Sequence, residues 1–280
     1  MTLKALYVAL VLLFAASASF AQEMVFESIN LSPWSQARGS FLEPNRFVIA
    51  KDISRTRLRL EAGYGGDIIK FKNSSFGGEI LIWSGLKYYS DFRFPVETAD
   101  YFFGVYTVFP LGISYNGERL PLRIRLSHIS SHLVDGSKDQ VVGGSSSHYS
   151  REFISAETQI VPHAEGDWFG ISGGLKYVFH QITHVEPELQ VPVSIDIMPV
   201  FRPHSSYIFA TLSTAGSPSF PQYSADLTLR INTTHQTYLD LYGEYHYGAS
   251  RYGIEGNYKE SGYEFGVRIS SISFSTPKEY

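Results

Sequence analysis

A serine and a histidine stand two residues apart in this chain, Ser130 and His128, inside the run Arg119 to Asp135. The run alternates: Leu122, Ile124 and Leu126 fall on one side of a strand, Arg123, Arg125 and Ser127 on the other. His128, Ser130 and His132 continue the apolar row. Residues two apart on a strand share a face, with Cα atoms roughly 6.5–7 Å apart, so the imidazole is within reach of the hydroxyl. A serine hydroxyl is a weak nucleophile until a base takes its proton, and the base needs a third group to orient it. Glu152 is the first candidate for that group. On the next strand, Arg151 to Val161, it shares the apolar row of Ile154, Ala156 and Ile160. If Ile124 opposes Ala156, then His128 opposes Glu152, because antiparallel partners keep a constant index sum. Asp135 is a second candidate acid, and Ser131, His132 and Asp135 flank the pair as candidates for holding a substrate. The alternative is that these polar residues sit at interfacial depth in a membrane, where they cost little and do no chemistry.

Other constellations carry less. His128/His132 and His180/His184 are four apart, which on a strand separates them by about 13 Å, so neither pair chelates alone. The Gly63-Tyr64-Gly65-Gly66 run precedes no helix and reads as a turn or barrel kink rather than a phosphate loop. Asp135 and Asp139 are the candidates for a loop calcium ion, against a solvated loop; no other cofactor or metal is expected.

The elements that must position Ser130 and His128 follow from the rest of the chain. Residues 1–21 read as a secretory signal peptide: Lys4, an apolar run from Ala5 to Ala16, then small residues up to Ala21. The apolar run is too short for a spanning helix, which needs about 20 residues. The 280 residues contain no cysteine, which excludes a disulfide framework in an exported chain. Net charge is −4 and the basic residues form no block, so nothing points to nucleic acid. Mean hydropathy is near zero. Aromatic residues reach 15%, mostly Tyr and Phe.

Residues 22–55, with Pro33, Gly39 and Pro44, read as an N-terminal periplasmic arm. From Thr56 to the end, apolar and polar residues alternate in long segments. Phe103 and Val105 share a side, as do Phe169, Ile171, Leu175, Tyr177 and Phe179, opposed by Ser172, Lys176 and His180. Leu189 to Ile197, Ala225 to Ile231, Leu239 to Tyr247 and Tyr263 to Ile269 repeat the pattern. Segments of this length, with ionisable residues in the polar rows, predict an all-β fold: a transmembrane antiparallel β-barrel of about 12 strands. A closed barrel is the only sheet that satisfies its backbone in a bilayer. Trp168, Tyr207, Tyr223 and Tyr247 suit the interfacial girdles. A soluble exported barrel, polar outside and apolar inside, is the competing architecture. The lumen charges Arg123, Arg125, Glu157, Asp196, Arg230, Glu244 and Arg268 are expected to form a plugging network. With both termini periplasmic, residues 136–150 and 248–260 become outer loops and 162–167 a periplasmic turn. His128 and Ser130 then lie near the outer leaflet, facing lipid.

The stretch from Ala99 to Leu133, with its core His128-Ile129-Ser130-Ser131-His132-Leu133, resembles the bacterial exported family known as domain of unknown function 1207. The family hallmark reads approximately His-Gln-Ser-Ser-His-Leu-Gly-Asp; Ile129 and Val134 depart from it. Phe41 to Arg57 also looks similar. That resemblance implies an outer-membrane-type barrel and no established reaction. The His-x-Ser pair is further similar to the catalytic pairs of outer-membrane phospholipase A and the lipid A 3-O-deacylase. It implies His128 as base and Ser130 as nucleophile. Phospholipase A usually has Gln and Asn where Ile129 and Ser131 stand, so these two side chains offer no equivalent support for an oxyanion. The expectation is an outer-membrane barrel acting as a Ser-His hydrolase on phospholipid or lipid A esters. Its partners would be membrane lipids, lipopolysaccharide and the outer-membrane insertion machinery. The alternative is a structural barrel or narrow pore.

Overall fold

A computed structural model of the chain describes residues 24–25, 30–31, 46–54, 57–71, 74–87, 89, 93–115, 118–134, 148–160, 169–182, 188–190, 193–197, 206–216, 221–234, 237–249 and 259–271. The expected leader, residues 1–21, lies outside them. Among the described residues every regular element is a strand. In chain order these are β1 (Met24–Val25), β2 (Asn30–Leu31), β3 (Arg46–Asp52), β4 (Arg57–Phe71), β5 (Ser74–Lys87), β6 (Val96–Tyr115), β7 (Glu118–Leu133) and β8 (His148–Ile160). They continue as β9 (Phe169–Ile182), β10 (Glu188–Gln190), β11 (Val193–Ile197), β12 (Ser206–Gly216), β13 (Pro221–Thr234), β14 (Thr237–Ala249) and β15 (Lys259–Ser271).

Each long strand pairs antiparallel with its sequence neighbours, β10 and β11 both lie on β9, and β15 pairs with β3. Since β3 pairs β4 and β4 pairs β5, the ladders run round a ring of twelve strands, β3–β9 and β11–β15. One expectation needs correcting. The first barrel strand is β3, from Arg46, so the barrel begins inside the stretch expected as an arm. Its alternation (Phe47 and Ile49 exposed, Val48 and Ala50 buried) is sound, but seven residues between Pro44 and Arg55 carry a weak local signal. The segment expected as one strand over 188–201 is described as β10 and β11, which lie on β9 in a single register, Gln190 opposite Lys176 and Val193 opposite Gly173; residues 191–192 and 198–201 lie outside the described residues. β1 and β2 pair with residues 66–71 of β4, beyond the stretch that β3 covers.

The two faces sort by chemistry. Outward stand Phe47, Ile49, Ile80, Ile82, Phe103, Val105, Leu175, Leu227, Leu241, Phe265 and Val267, all exposed. Inward stand Arg59, Glu61, Glu79, Arg123, Arg125, Glu157, Arg230, Asp240 and Glu264, all buried. This is the reverse of a soluble barrel and fits a sheet whose outer face meets lipid. Tyr223 and Tyr247 stack 6.5 Å apart on the outward face, near the end where β13 begins and β14 finishes. Trp168 lies outside the described residues.

The inward charges are paired. Arg123 donates to Glu157 at 2.8 and 2.5 Å, and Arg125 contacts Glu79 at 2.8 Å. Arg230 grips Asp240 through two nitrogens at 2.7 and 3.0 Å, a bidentate fork. Arg59 contacts Glu61 and Glu264, and the Tyr242 hydroxyl donates to Glu264 at 2.8 Å. A water-filled channel would leave such side chains accessible. Instead Asp100, Arg123, Thr228 and Asp240 are each 0% exposed, so the lumen is filled at these levels. Of the charges expected in this network, the side chain of Asp196 is not among those described.

Behind one part of the wall the interior is apolar. Leu81, Trp83, Phe102, Ile129, Phe153 and Val178 form one buried cluster across β5 to β9. Phe102 and Phe153 stack with ring centroids 6.4 Å apart. Its members come from five adjacent strands, and a slip of one residue would turn each outward. The cluster therefore pins the register of the strands that carry His128, Ser130 and Glu152.

Candidate active site

β7 places its rows as the sequence implies. Arg123, Arg125, Ser127, Ile129 and Ser131 are buried in the interior; Leu122, Ile124, Leu126, His128, Ser130 and His132 face out. Ile124 pairs with Ala156 and His128 with Glu152. The carboxylate therefore stands beside the imidazole on the lipid-facing side. His128 Nδ1 lies 3.7 Å from Glu152 Oε1, with side chains 41% and 39% exposed, so both are open to a molecule arriving laterally. Contact through Nδ1 leaves Nε2 for a nucleophile's proton, the division of labour a triad requires. No hydrogen bond joins Ser130 to His128 among the described residues; in free enzymes such bonds are often long and tighten with substrate. Ser130 stands between Tyr101 of β6 and Ser150 of β8. Phe103 lies opposite His128 and is 46% exposed, an apolar flank suited to acyl chains.

The flanking candidates divide. His132 is outward and exposed, its ring 6.1 Å from that of Tyr101. Ser131 does not belong to the site: it is fully buried, opposite Asp100 on the interior face. Alternation along a strand puts consecutive side chains on opposite faces, so Ser130 and Ser131 cannot both meet a lipid. Asp135 and Asp139 lie outside the described residues. Among the described residues no group of three or more His, Asp or Glu is arranged to hold a metal ion.

One residue is placed differently from its expected row. His180 was expected inside, with Lys176. In the structure it faces out, 53% exposed, with Nδ1 3.6 Å from Glu152 Oε2. The cause is a β-bulge. Phe153 pairs with Val178, but Glu152 pairs with His180, so Phe179 is the extra residue in β9. Continuing the lower register would have set Phe179 opposite Glu152. Nothing local in Val178-Phe179-His180 announces a bulge; only a glycine or a break in alternation could have signalled it. The candidate site thus brings together Ser130, His128, Glu152 and His180 from three adjacent strands.

Neither a family model nor a curated protein matches this chain by sequence, so the resemblance to domain of unknown function 1207 gains no support there. Solved structures do match. Outer membrane phospholipase A from Escherichia coli aligns over 86% of this chain and 96% of its own, at 13% identity and TM-score 0.55. The Salmonella typhi outer membrane phospholipase, a dimer with bound calcium, aligns over the same shares at 13% identity and TM-score 0.56. The KdgM porin aligns over 80% of this chain and 98% of its own, at 12% identity and TM-score 0.42. At such identities the likeness is one of fold, and the fold this chain shares with the two phospholipases is the antiparallel β-barrel of the outer membrane.

Proposed function

We propose that this chain is an outer-membrane acyl-ester hydrolase that takes phospholipid or lipid A esters laterally from the leaflet, with Ser130, His128 and Glu152 as its triad. One observation carries the reading: a carboxylate stands directly opposite the histidine that shares a face with the serine, on the lipid-facing side of a filled barrel. Charged groups facing lipid are costly, and one apposed to an imidazole two residues from a serine has a chemical use. In this reading Ser130 Oγ attacks the ester carbonyl while His128 Nε2 takes its proton. Glu152 holds the imidazole by Nδ1 and stabilises the imidazolium that forms. The tetrahedral adduct collapses, the alcohol leaves with the proton from His128, and water, activated by His128 in turn, releases the fatty acid from Ser130. The membrane lipids and lipopolysaccharide of the outer membrane are then substrates, and export by the N-terminal leader and the barrel-insertion machinery delivers the protein there. Calcium, if it takes part, would be bound near Asp135 and Asp139.

A non-enzymatic structural barrel is the competing reading, favoured by the lack of a Ser130–His128 hydrogen bond. Lipid mass spectrometry on membranes exposed to refolded protein separates the two. Wild type should release acyl chains, and Ser130→Ala should lower the rate by about 10³-fold or more. Unchanged lipids, with calcium present and the barrel folded, would return His128 and Ser130 to the role of interfacial polar residues.

A further inference from the structure

We propose that His180 is a positioning residue of this hydrolase: it and His128 hold Glu152 from opposite sides, one imidazole at each carboxylate oxygen. The inference rests on the hydrolase reading and adds a fourth residue to it. The geometry is symmetric. His128 Nδ1 approaches Oε1 at 3.7 Å from β7, and His180 Nδ1 approaches Oε2 at 3.6 Å from β9. Both distances lie just outside hydrogen-bonding range, so a small side-chain rotation closes each.

The physical need is plain. Glu152 is 39% exposed on the outer wall and has a long side chain with freely turning bonds. A single contact to His128 would leave it mobile, and its second oxygen without a protein donor beside lipid, where an unsatisfied carboxylate is costly. A second donor satisfies that oxygen and restricts the side chain to the rotamer that keeps Oε1 on His128. The imidazole the serine needs is then presented with Nδ1 toward Oε1 and Nε2 free.

The bulge is the independent observation. β9 gives up regular pairing at one point, between its partners to Glu152 and Phe153. Bulges commonly re-aim a side chain beside an active site. Here the result is that His180 rather than Phe179 faces the carboxylate. The same backbone feature removes His180 from the interior row, where Lys176 lies 4.4 Å over the Phe153 ring.

The test uses refolded, full-length barrel and measures fatty-acid release from phosphatidylethanolamine vesicles and, in parallel, from vesicles containing lipopolysaccharide. His180→Phe should lower kcat about tenfold with KM nearly unchanged, the size expected for directly coupled neighbours. His180→Asn, whose amide N–H can stand where Nδ1 stood, should restore most of the rate. In a Glu152→Gln background, His180→Phe should add little, because the group it positions is gone. The inference is overturned by an unchanged kcat in His180→Phe, by a rise in KM alone (a headgroup contact), by failure of His180→Asn to rescue, or by an equal loss in the Glu152→Gln background. If wild type releases no fatty acid from either vesicle, or Ser130→Ala matches wild type, the hydrolase reading and this inference fall together. If those controls behave and only the His180 series is flat, this inference alone falls.

Discussion

Glu152 and Asp135 are the two candidate acids of the site, and of them Glu152 is the one among the described residues. Glu152 is opposite His128 in the ladder, whereas Asp135 follows the end of β7 at Leu133. Glu152→Ala should therefore lower kcat by about 10²-fold or more, while Asp135→Ala leaves it within about twofold, read as fatty-acid release. The reverse pattern would move the acid to the loop. Glu152 was legible in the sequence as the residue that meets His128 if Ile124 opposes Ala156; alternating outer rows fix the face each residue takes, while the register itself comes from the ladder. The charges behind them agree, with Arg123 opposite Glu157 in the same ladder. His180 was not legible: its facing depends on one extra backbone residue that no side chain encodes locally.

At the level of strands, the site depends on neighbours that keep their register. β6, β7, β8 and β9 are bound through long ladders, interrupted between β8 and β9 by the bulge at Phe179, and backed by the buried Phe102, Ile129, Phe153 and Val178. At the far side of the barrel, β13 and β14 meet with Gln222 opposite Gly248. Gly248 has φ +120°, and a Cβ there would fall 2.0 Å from the carbonyl oxygen of Pro221. Only glycine is at ease in that conformation. Gly248→Ala should destabilise the barrel by about 1–3 kcal/mol, measured as a lower urea midpoint in vesicles. Because β13 and β14 are remote from β7, the specific activity of the folded fraction should not change. The strand rhythm from Thr56 onward was readable from alternation alone, while β3 was not. Short segments carry too few alternating positions for period two to stand out.

The whole molecule is a barrel turned inside out relative to a soluble one, and that inversion is testable. Leu227 lies mid-strand in β13, outward and 61% exposed. Leu227→Arg should cost about 2–4 kcal/mol in a lipid bilayer, seen as a fall in the folded fraction on urea titration. In a soluble barrel the same exposed position would accept arginine almost freely. The interior has the opposite logic. Its buried arginines and carboxylates are tolerable because they pair with one another, Arg123 with Glu157 and Arg230 with Asp240.

By itself the sequence determined the class of fold and the division into lipid-facing and inward rows, and, once Ile124 is set opposite Ala156, the pairing of His128 with Glu152. Each follows from local alternation and an index rule between adjacent strands, which need no knowledge of distant contacts. The tertiary structure alone decided that β15 closes on β3, a pairing of residues more than 200 positions apart. It alone placed the start of the barrel at Arg46 and turned His180 onto Glu152. Ring closure and bulges are settled by the geometry of the whole sheet, where backbone hydrogen bonds must all be met at once, and no short stretch of side chains carries that information.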